Sequence, residues 1–365
     1  MNKVLYIGGF ELPDKNAAAQ RVLSIAKVLR ILGYEVLFYG ISQCGDYNGN
    51  VAGFDYETYP HPEGIVSWFR YALGRGILNY IRKVSPDYVF LYNYPSFAQE
   101  RVVRYCKKHR IKTVGDITEW YRSTSLPKWI DTCLRMRISN KKLDGIIAIS
   151  RYLASYYHDY HVILLPPLVD KEERKWSIIP EKRQDNKIHL VYIGTGSVKD
   201  RLDKIVHGIG GTENGKFHLD VIGITKEQYV SIYHSEDSIH NDSIVFHGRL
   251  PHQNALFFLM SADFQIFFRD NIRVNNAGFP TKFVESMSAG IPVITNRISN
   301  VGDYIRNGEN SFMIDSPTER EISDVLFRIA SLSRTQIETI KRNCIKDEFD
   351  FRKYCPEIKR FMDCL

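Results

Sequence analysis

The stretches VLYIGG (4–9) and LVYIGTG (190–196) decide the fold. Each is a short apolar run ending in glycines, as a buried parallel strand is where the chain turns into a helix. After the first comes a loop with Pro13, Asp14 and Asn16. Val22, Ile25, Ala26, Leu29 and Leu32 then recur at helical spacing, with Asn16 as N-cap and Gly33 as stop. A strand over 36–39 follows. After the second run come a helix around 201–209 and the strand HLDVIG (218–223). Strand, loop, helix and strand in that order open a doubly wound parallel sheet.

Further strands extend each half. YVFLY (88–92), KTVGDI (112–117), DGIIAIS (144–150) and VILLPP (162–167) belong to the first. SIVFHG (243–248), DFQIFF (263–268), IPVIT (291–295) and SFMID (311–315) belong to the second. Residues 168–187 are charged, contain Pro180 and show no sustained apolar period, which is a linker composition. The expected class is α/β, with two Rossmann-like doubly wound parallel-sheet domains, 1–167 and 188–345, facing across a cleft. A C-terminal helical segment, 346–365, is expected to return to the first domain. Both walls of such a cleft carry glycine-rich loops and helix N-termini, which suit anionic oxygens.

With 44% hydrophobic and 25% charged residues among 365, the chain is ordinary globular material and neither disordered nor fibrous. Twelve Lys/Arg stand against Asp116, Glu119 and Asp131 within 101–142, more local positive charge than the whole chain's net +7. The basicity is one patch, fit for an anionic surface or substrate, and no nucleic-acid partner is expected. The apolar runs 4–7, 146–149 and 162–169 are too short to span a bilayer, and MNKVLYIGGF does not read as a secretory signal. Six scattered cysteines form no Cys-x-x-Cys, so we expect reduced thiols in the cytoplasm and no metal or other cofactor.

GFPTKFVESMSAGIPVI (278–294) carries the most chemistry. Pro280 sits where a helix begins, leaving the N–H groups of Thr281, Lys282 and Phe283 to point out of its start. Such a tip plus Lys282 is a diphosphate site, and Glu285, one turn deeper, can accept from the 2′ and 3′ hydroxyls of a ribose. The plain alternative is a packed helix with a Lys–Glu surface pair. GDITEWYR (115–122) lies past a strand end. There Asp116 or Glu119 is placed to orient an acceptor hydroxyl and Trp120 or Tyr121 to stack on a sugar, against the alternative of a capping Asp and core aromatics. The segment 122–142 interleaves Arg122, Lys128, Arg135, Arg137, Lys141 and Lys142 with Trp129, Ile130, Leu134 and Met136. That suits a helix lying on an anionic membrane surface or an amphipathic domain helix with a solvated face.

The ordered set of motifs resembles the family 4 retaining glycosyltransferases, of GT-B architecture, over nearly the whole chain. The pieces are the Gly8–Gly9 loop with its helix, DGIIAIS (144–150), LLPPLVD (164–170), LVYIGTGSVK (190–199), SIVFHGRLP (243–251) and ESMSAGIPVI (285–294). The resemblance implies transfer of a sugar from a nucleotide-diphosphate donor to a glycan or lipid-linked acceptor. Lys199 matches a family lysine of the diphosphate loop. Thr195 stands where the family has an arginine, which Arg201 is placed to replace. By resemblance the backbone of Arg249 and Leu250 frames the nucleobase, and the loop from Gly8 and Gly9 to Asn16 and Ala17 faces the donor. The first Glu of the family's Glu-x7-Glu motif would fall at Ala277, and Pro280, Lys282 and Glu285 match a Pro-x-Lys-x-x-Glu variant. No Asp-x-Asp metal clamp occurs. A nicotinamide dehydrogenase is disfavoured because neither glycine loop completes G-x-G-x-x-G. A nucleotide-sugar 2-epimerase and a non-catalytic sugar-nucleotide-binding subunit remain as rivals.

Overall fold

Val4, Leu5, Tyr6 and Ile7 are apolar on both faces of their strand and fully buried, the condition of a parallel strand covered by helices on both sides. The computed structural model describes residues 2–12, 17–42, 48–62, 64–74, 76–123, 125–180, 185–211, 215–234 and 243–365. These form two compact units.

Among the described residues, the first unit holds eight strands: β1 (Lys3–Gly8), β2 (Glu35–Ser42), β3 (Asn48–Val51), β4 (Phe54–Pro60), β5 (Tyr88–Tyr92), β6 (Lys112–Ile117), β7 (Gly145–Ala148) and β8 (Val162–Leu164). Their order is β3-β4-β2-β1-β5-β6-β7-β8, parallel throughout except for the β3–β4 hairpin at the edge. Its helices are α1 (Ala17–Ile31), α2 (Gly64–Ala72), α3 (Ile77–Val84), α4 (Ser96–Lys108), α5 (Leu126–Leu134) and α6 (Arg151–Tyr156). Val4 and Tyr6 pack toward α1, whereas Leu5 and Ile7 pack toward α3 and α4. Residues 350–365 join this unit, with Phe351, Ile358, Phe361 and Met362 in the α1 cluster and the Phe361 ring stacked on His161.

Two expectations change here. The stretch read as a linker divides at Val169, and from Asp170 it belongs to the second unit, where Trp176 and Ile178 pack on Val191, Leu256 and Leu259. It is where the chain passes from one unit to the other, and it adds apolar burial to the second. The basic segment 122–142 is not one helix on the surface: after α5 it widens into a π-helical turn over Arg135–Ser139, and Arg135, Met136, Ser139 and Asn140 are buried.

The second unit, among the described residues, has six parallel strands: β9 (Ile188–Ile193), β10 (Phe217–Ile222), β11 (Ile244–Phe246), β12 (Phe264–Ile266), β13 (Val293–Asn296) and β14 (Phe312–Ile314). Their order is β11-β10-β9-β12-β13-β14. Helices α7 (Leu202–Gly210), α8 (Lys226–Tyr233), α9 (His252–Ser261), α10 (Arg273–Ala277), α11 (Thr281–Ala289), α12 (Glu319–Ala330) and α13 (Arg334–Arg342) connect or flank them. From β9 the chain builds outward to β11, then returns to build the other way from β12. The direction therefore reverses between β9 and β12, and the crevice beyond their carboxyl ends is where open α/β sheets bind ligands.

Candidate functional site

Beyond β9 the chain runs through Gly194 and Gly196 into a short turn, Val198–Asp200, and beyond β12 through Phe267 and Phe268 to Arg269. Lys282, in the first turn of α11, reaches the same point. Its Nζ donates to Asp200 Oδ2 at 2.7 Å, and Arg269 Nε donates to Oδ1 at 2.8 Å. The Tyr192 hydroxyl donates to Asp200 Oδ2 at 3.1 Å. The Lys282 ammonium also lies 4.6 Å from the Tyr192 ring centroid and 5.5 Å from that of Phe267, within cation–π range. A Cβ on Gly194 would stand 2.9 Å from that ammonium and 2.7 Å from the Tyr192 hydroxyl, so a side chain there would obstruct the network.

Burial raises the Asp200 carboxyl, but Lys282 and Arg269 outweigh it and hold the group well below the usual carboxylate range. Burial pulls the Lys282 ammonium below the ordinary lysine value, with Asp200 opposing the shift. Two cations thus share one carboxylate, leaving an excess positive charge in a poorly solvated place. Such a site favours an added anion.

Beside it, at the carboxyl ends of β9, β10 and β11, a cavity of about 700 Å³ is lined by Thr195, Gly223, Ile224, Glu227, Gln228 and Arg249, among others. Gly223 lies at φ +108°, and a Cβ there would come within 2.2 Å of the Gly194 carbonyl oxygen. Only glycine lets the two strand ends approach this closely.

Other expected residues are placed as follows. Thr281 opens α11 and is half-buried. Of the three amides expected to point outward, that of Phe283 donates to the Pro280 carbonyl at 3.0 Å and is spent inside the turn. Glu285 does not pair with Lys282; its Oε1 lies 3.2 Å from His252 Nε2 on α9. Lys199 is exposed on the turn before Asp200. Arg201 is not poised for an anion, because Nε and Nη2 bond Asp203 and Nη1 bonds Asp270 at 3.0 Å. Leu250 turns into the apolar cluster of Leu256 and Leu259. Ala277 groups with the first unit, where it is fully buried and its carbonyl accepts from the Ser150 hydroxyl at 2.7 Å.

In the first unit Asp116 has a structural task. It is fully buried, its oxygens receive Arg21 Nε at 2.9 Å and the Tyr6 hydroxyl at 2.6 Å, and Arg21 Nη2 lies 2.8 Å away. Arg21 also donates to the carbonyls of Leu165 and Pro166, so the set ties β1, α1, β6 and the end of β8 together. The acceptor role expected for Asp116 therefore gives way to core pairing. Glu119 is half-buried, Trp120 packs edge-on against Tyr156, and Tyr121 is exposed. Gly8 is buried opposite Tyr92, Gly9 is exposed, and Ala17 begins α1. Asn16 lies outside the described residues.

Asp200 and Arg269 escaped the reading of the sequence. The available signal was the FFRD run (267–270), a charge pair directly at a strand end.

Residues 174–343 match the family model of the glycosyl transferases group 1. No curated protein matches the sequence. The whole chain superposes on solved structures at low identity. Sucrose-phosphate synthase from Thermosynechococcus elongatus gives a TM-score of 0.77 at 12% identity, covering 100% of this chain and 98% of that one. The Anabaena protein HepE in complex with UDP and glucose gives 0.72 at 13%, covering 100% of both chains. The catalytic domain of starch synthase IV from Arabidopsis thaliana, bound to ADP and acarbose, gives 0.74 at 11%, covering 100% and 99%. By fold the chain is of GT-B type, two parallel-sheet α/β units, and over residues 174–343 it is similar to the glycosyl transferases group 1.

Proposed function

We propose that the protein moves a sugar from a nucleotide-diphosphate donor to a hydroxyl of a glycan or lipid-linked acceptor, with retention, in surface polysaccharide assembly in the cytoplasm. The observation that carries this reading is the Lys282 ammonium held by Asp200 at the reversal point of the second sheet, beside the cavity lined by Thr195 and Arg249. In this reading the cavity takes the nucleoside, Glu285 the ribose, and Lys282 with the start of α11 the diphosphate. The acceptor oxygen bonds the anomeric carbon as the bond to the phosphate oxygen breaks, and that oxygen takes the acceptor's proton. Fixed positive charge and positioning are then the protein's contribution, with no metal and no dedicated base invoked.

A thermal-shift screen with UDP, GDP, ADP and CDP tests the donor class, since a ligand of the folded state alone raises the melting point. Stabilisation by one of them is expected, followed by donor consumption that depends on an acceptor. Isomerisation of a UDP-sugar without acceptor would instead mean an epimerase, and binding without consumption a silent subunit.

The same reading includes contact with an anionic membrane surface. No described helix is long and apolar enough to cross a membrane. An apolar groove of about 400 Å³ runs between α2, the start of α4 and α5, lined by Phe69, Leu73, Phe97, Leu126 and Ile130 among others. Trp129, half exposed, precedes the lining residue Ile130, and the exposed Arg70 and Lys128 follow the lining residues Phe69 and Pro127. Aromatic side chains with a basic rim suit a headgroup boundary. Co-sedimentation with phosphatidylglycerol vesicles, lost on Trp129→Ser and weakened by salt, is the expected result; no sedimentation at low salt would remove this part.

A further inference from the structure

Arg269 and Arg201 both flank the reversal point of the second sheet, and their guanidinium groups are used differently. Arg201 is surrounded: two carboxylates, Asp203 and Asp270, take Nε, Nη1 and Nη2 between them. Arg269 bonds Asp200 through Nε alone, and among the described residues its two terminal Nη groups bond nothing further. That carboxylate is already shared with Lys282, so Arg269 is the less compensated of the two arginines. Its backbone is fixed as well: its N–H donates to Asn296 Oδ1 at 2.8 Å, and its carbonyl accepts from Asn296 Nδ2 at 2.9 Å. Asn296 ends β13 and is fully buried. The guanidinium therefore projects from a rigid strand end, with 11% of its side chain still exposed.

We propose that Arg269 is the second cation of the diphosphate site, standing with Lys282 in place of the arginine that the loop after β9 lacks at Thr195. The proposal rests on the donor reading above and adds a residue that the motif pattern does not supply. With Nε engaged, the two Nη groups form the free side of a planar fork, the geometry that matches two phosphate oxygens. Asp200 keeps the two cations adjacent despite their repulsion, so a donor meets both in place and little is lost in ordering them. A pair serving stability alone has no need of two cations on one carboxylate, nor of a position at the carboxyl ends of the central strands.

The test is titration calorimetry of the full chain with UDP, GDP, ADP and CDP. The tightest-binding diphosphate is then compared with its own nucleoside in the variants. Arg269→Gln is expected to weaken the diphosphate about tenfold to a hundredfold, the usual worth of hydrogen bonds to a charged group. The nucleoside should bind as it does to the wild type, and its binding also reports that the site is folded. Arg269→Lys keeps a charge beside Asp200 but loses the fork, and should fall between the two; it carries the test if the Gln variant does not fold. Arg201→Gln should cost less than Arg269→Gln. The proposal is overturned if that order reverses, or if Arg269→Gln and Arg269→Lys weaken nucleoside and diphosphate equally, which is the mark of a structural role. If the wild type binds one of the four diphosphates and both Arg269 variants bind it as tightly, the assignment of Arg269 alone falls. If the wild type binds none of them, the donor reading falls and takes this inference with it.

Discussion

In the proposed transfer, replacing Lys282 with Ala removes a fixed positive charge from the place where charge would develop as the diphosphate leaves. If it acts as one preorganised donor, the turnover number should drop about 10²–10³-fold, or about 2.7–4 kcal/mol of transition-state stabilisation; an unchanged turnover number would make Lys282 a packing residue. Asp200→Asn is a different experiment, because it leaves Lys282 and Arg269 buried around a neutral amide. At neutral pH it should destabilise the fold by about 3–5 kcal/mol, the usual effect of breaking a buried pair. The folded-state carboxyl titrates below its unfolded value, which is about 3.9. Its contribution is therefore complete above that value and is lost as pH falls below it, where the unfolded chain takes up the proton more readily. Urea denaturation at pH 7 and pH 3 should show the gap between wild type and variant shrinking at the lower pH, and an equal gap at both would contradict the assignment. Lys282 was legible in the local sequence, whereas Asp200 was not, and the FFRD run alone does not separate Arg269 from Arg201. Arg201 and Arg269 are both cations next to acids, and which one is neutralised depends on Asp270 lying 69 positions from Arg201 and Asp200 lying 69 from Arg269.

At the level of elements, the central parallel strands were readable because burial on both faces leaves an unbroken apolar run. The β3–β4 hairpin was not, since its residues NGNV and FDYETYP are largely polar and partly exposed at the sheet edge. Glycine roles were ambiguous for a related reason. Gly8 reads equally as part of a donor-facing loop and as a structural glycine turn, and its place opposite Tyr92 supplies a structural reason for glycine: a Cβ would stand 2.6 Å from Tyr92 Cβ and 2.7 Å from its carbonyl oxygen. Gly8→Ala should therefore cost about 1–3 kcal/mol of stability by overpacking. Urea denaturation measures that loss, and nucleotide affinity of the folded fraction should be unchanged. The basic stretch after Arg122 shows the limit of composition. Its alternation of cations and apolar residues suits a surface helix, yet Arg135 is buried and donates to the Asn93 carbonyl at 2.6 Å.

On the scale of the whole molecule, the first unit is assembled from both ends of the sequence, and residues 170–276 and 280–349 make the second. Phe361 is 4% exposed within the cluster that α1 and β1 share. Phe361→Ala should cost about 3–5 kcal/mol. The loss should fall on the first unit, seen as faster amide hydrogen exchange in β1 and α1 while β9 and β12 keep their protection; equal loss in both sheets would mean that the units unfold as one. The same layout orders events on the ribosome. The sheet translated first waits with part of its α1 face uncovered while every later strand is made, whereas the second unit has all its residues by position 349. The amino-terminal half is thus the later of the two to mature, and the one a chaperone would need to shelter until residues 350–365 emerge.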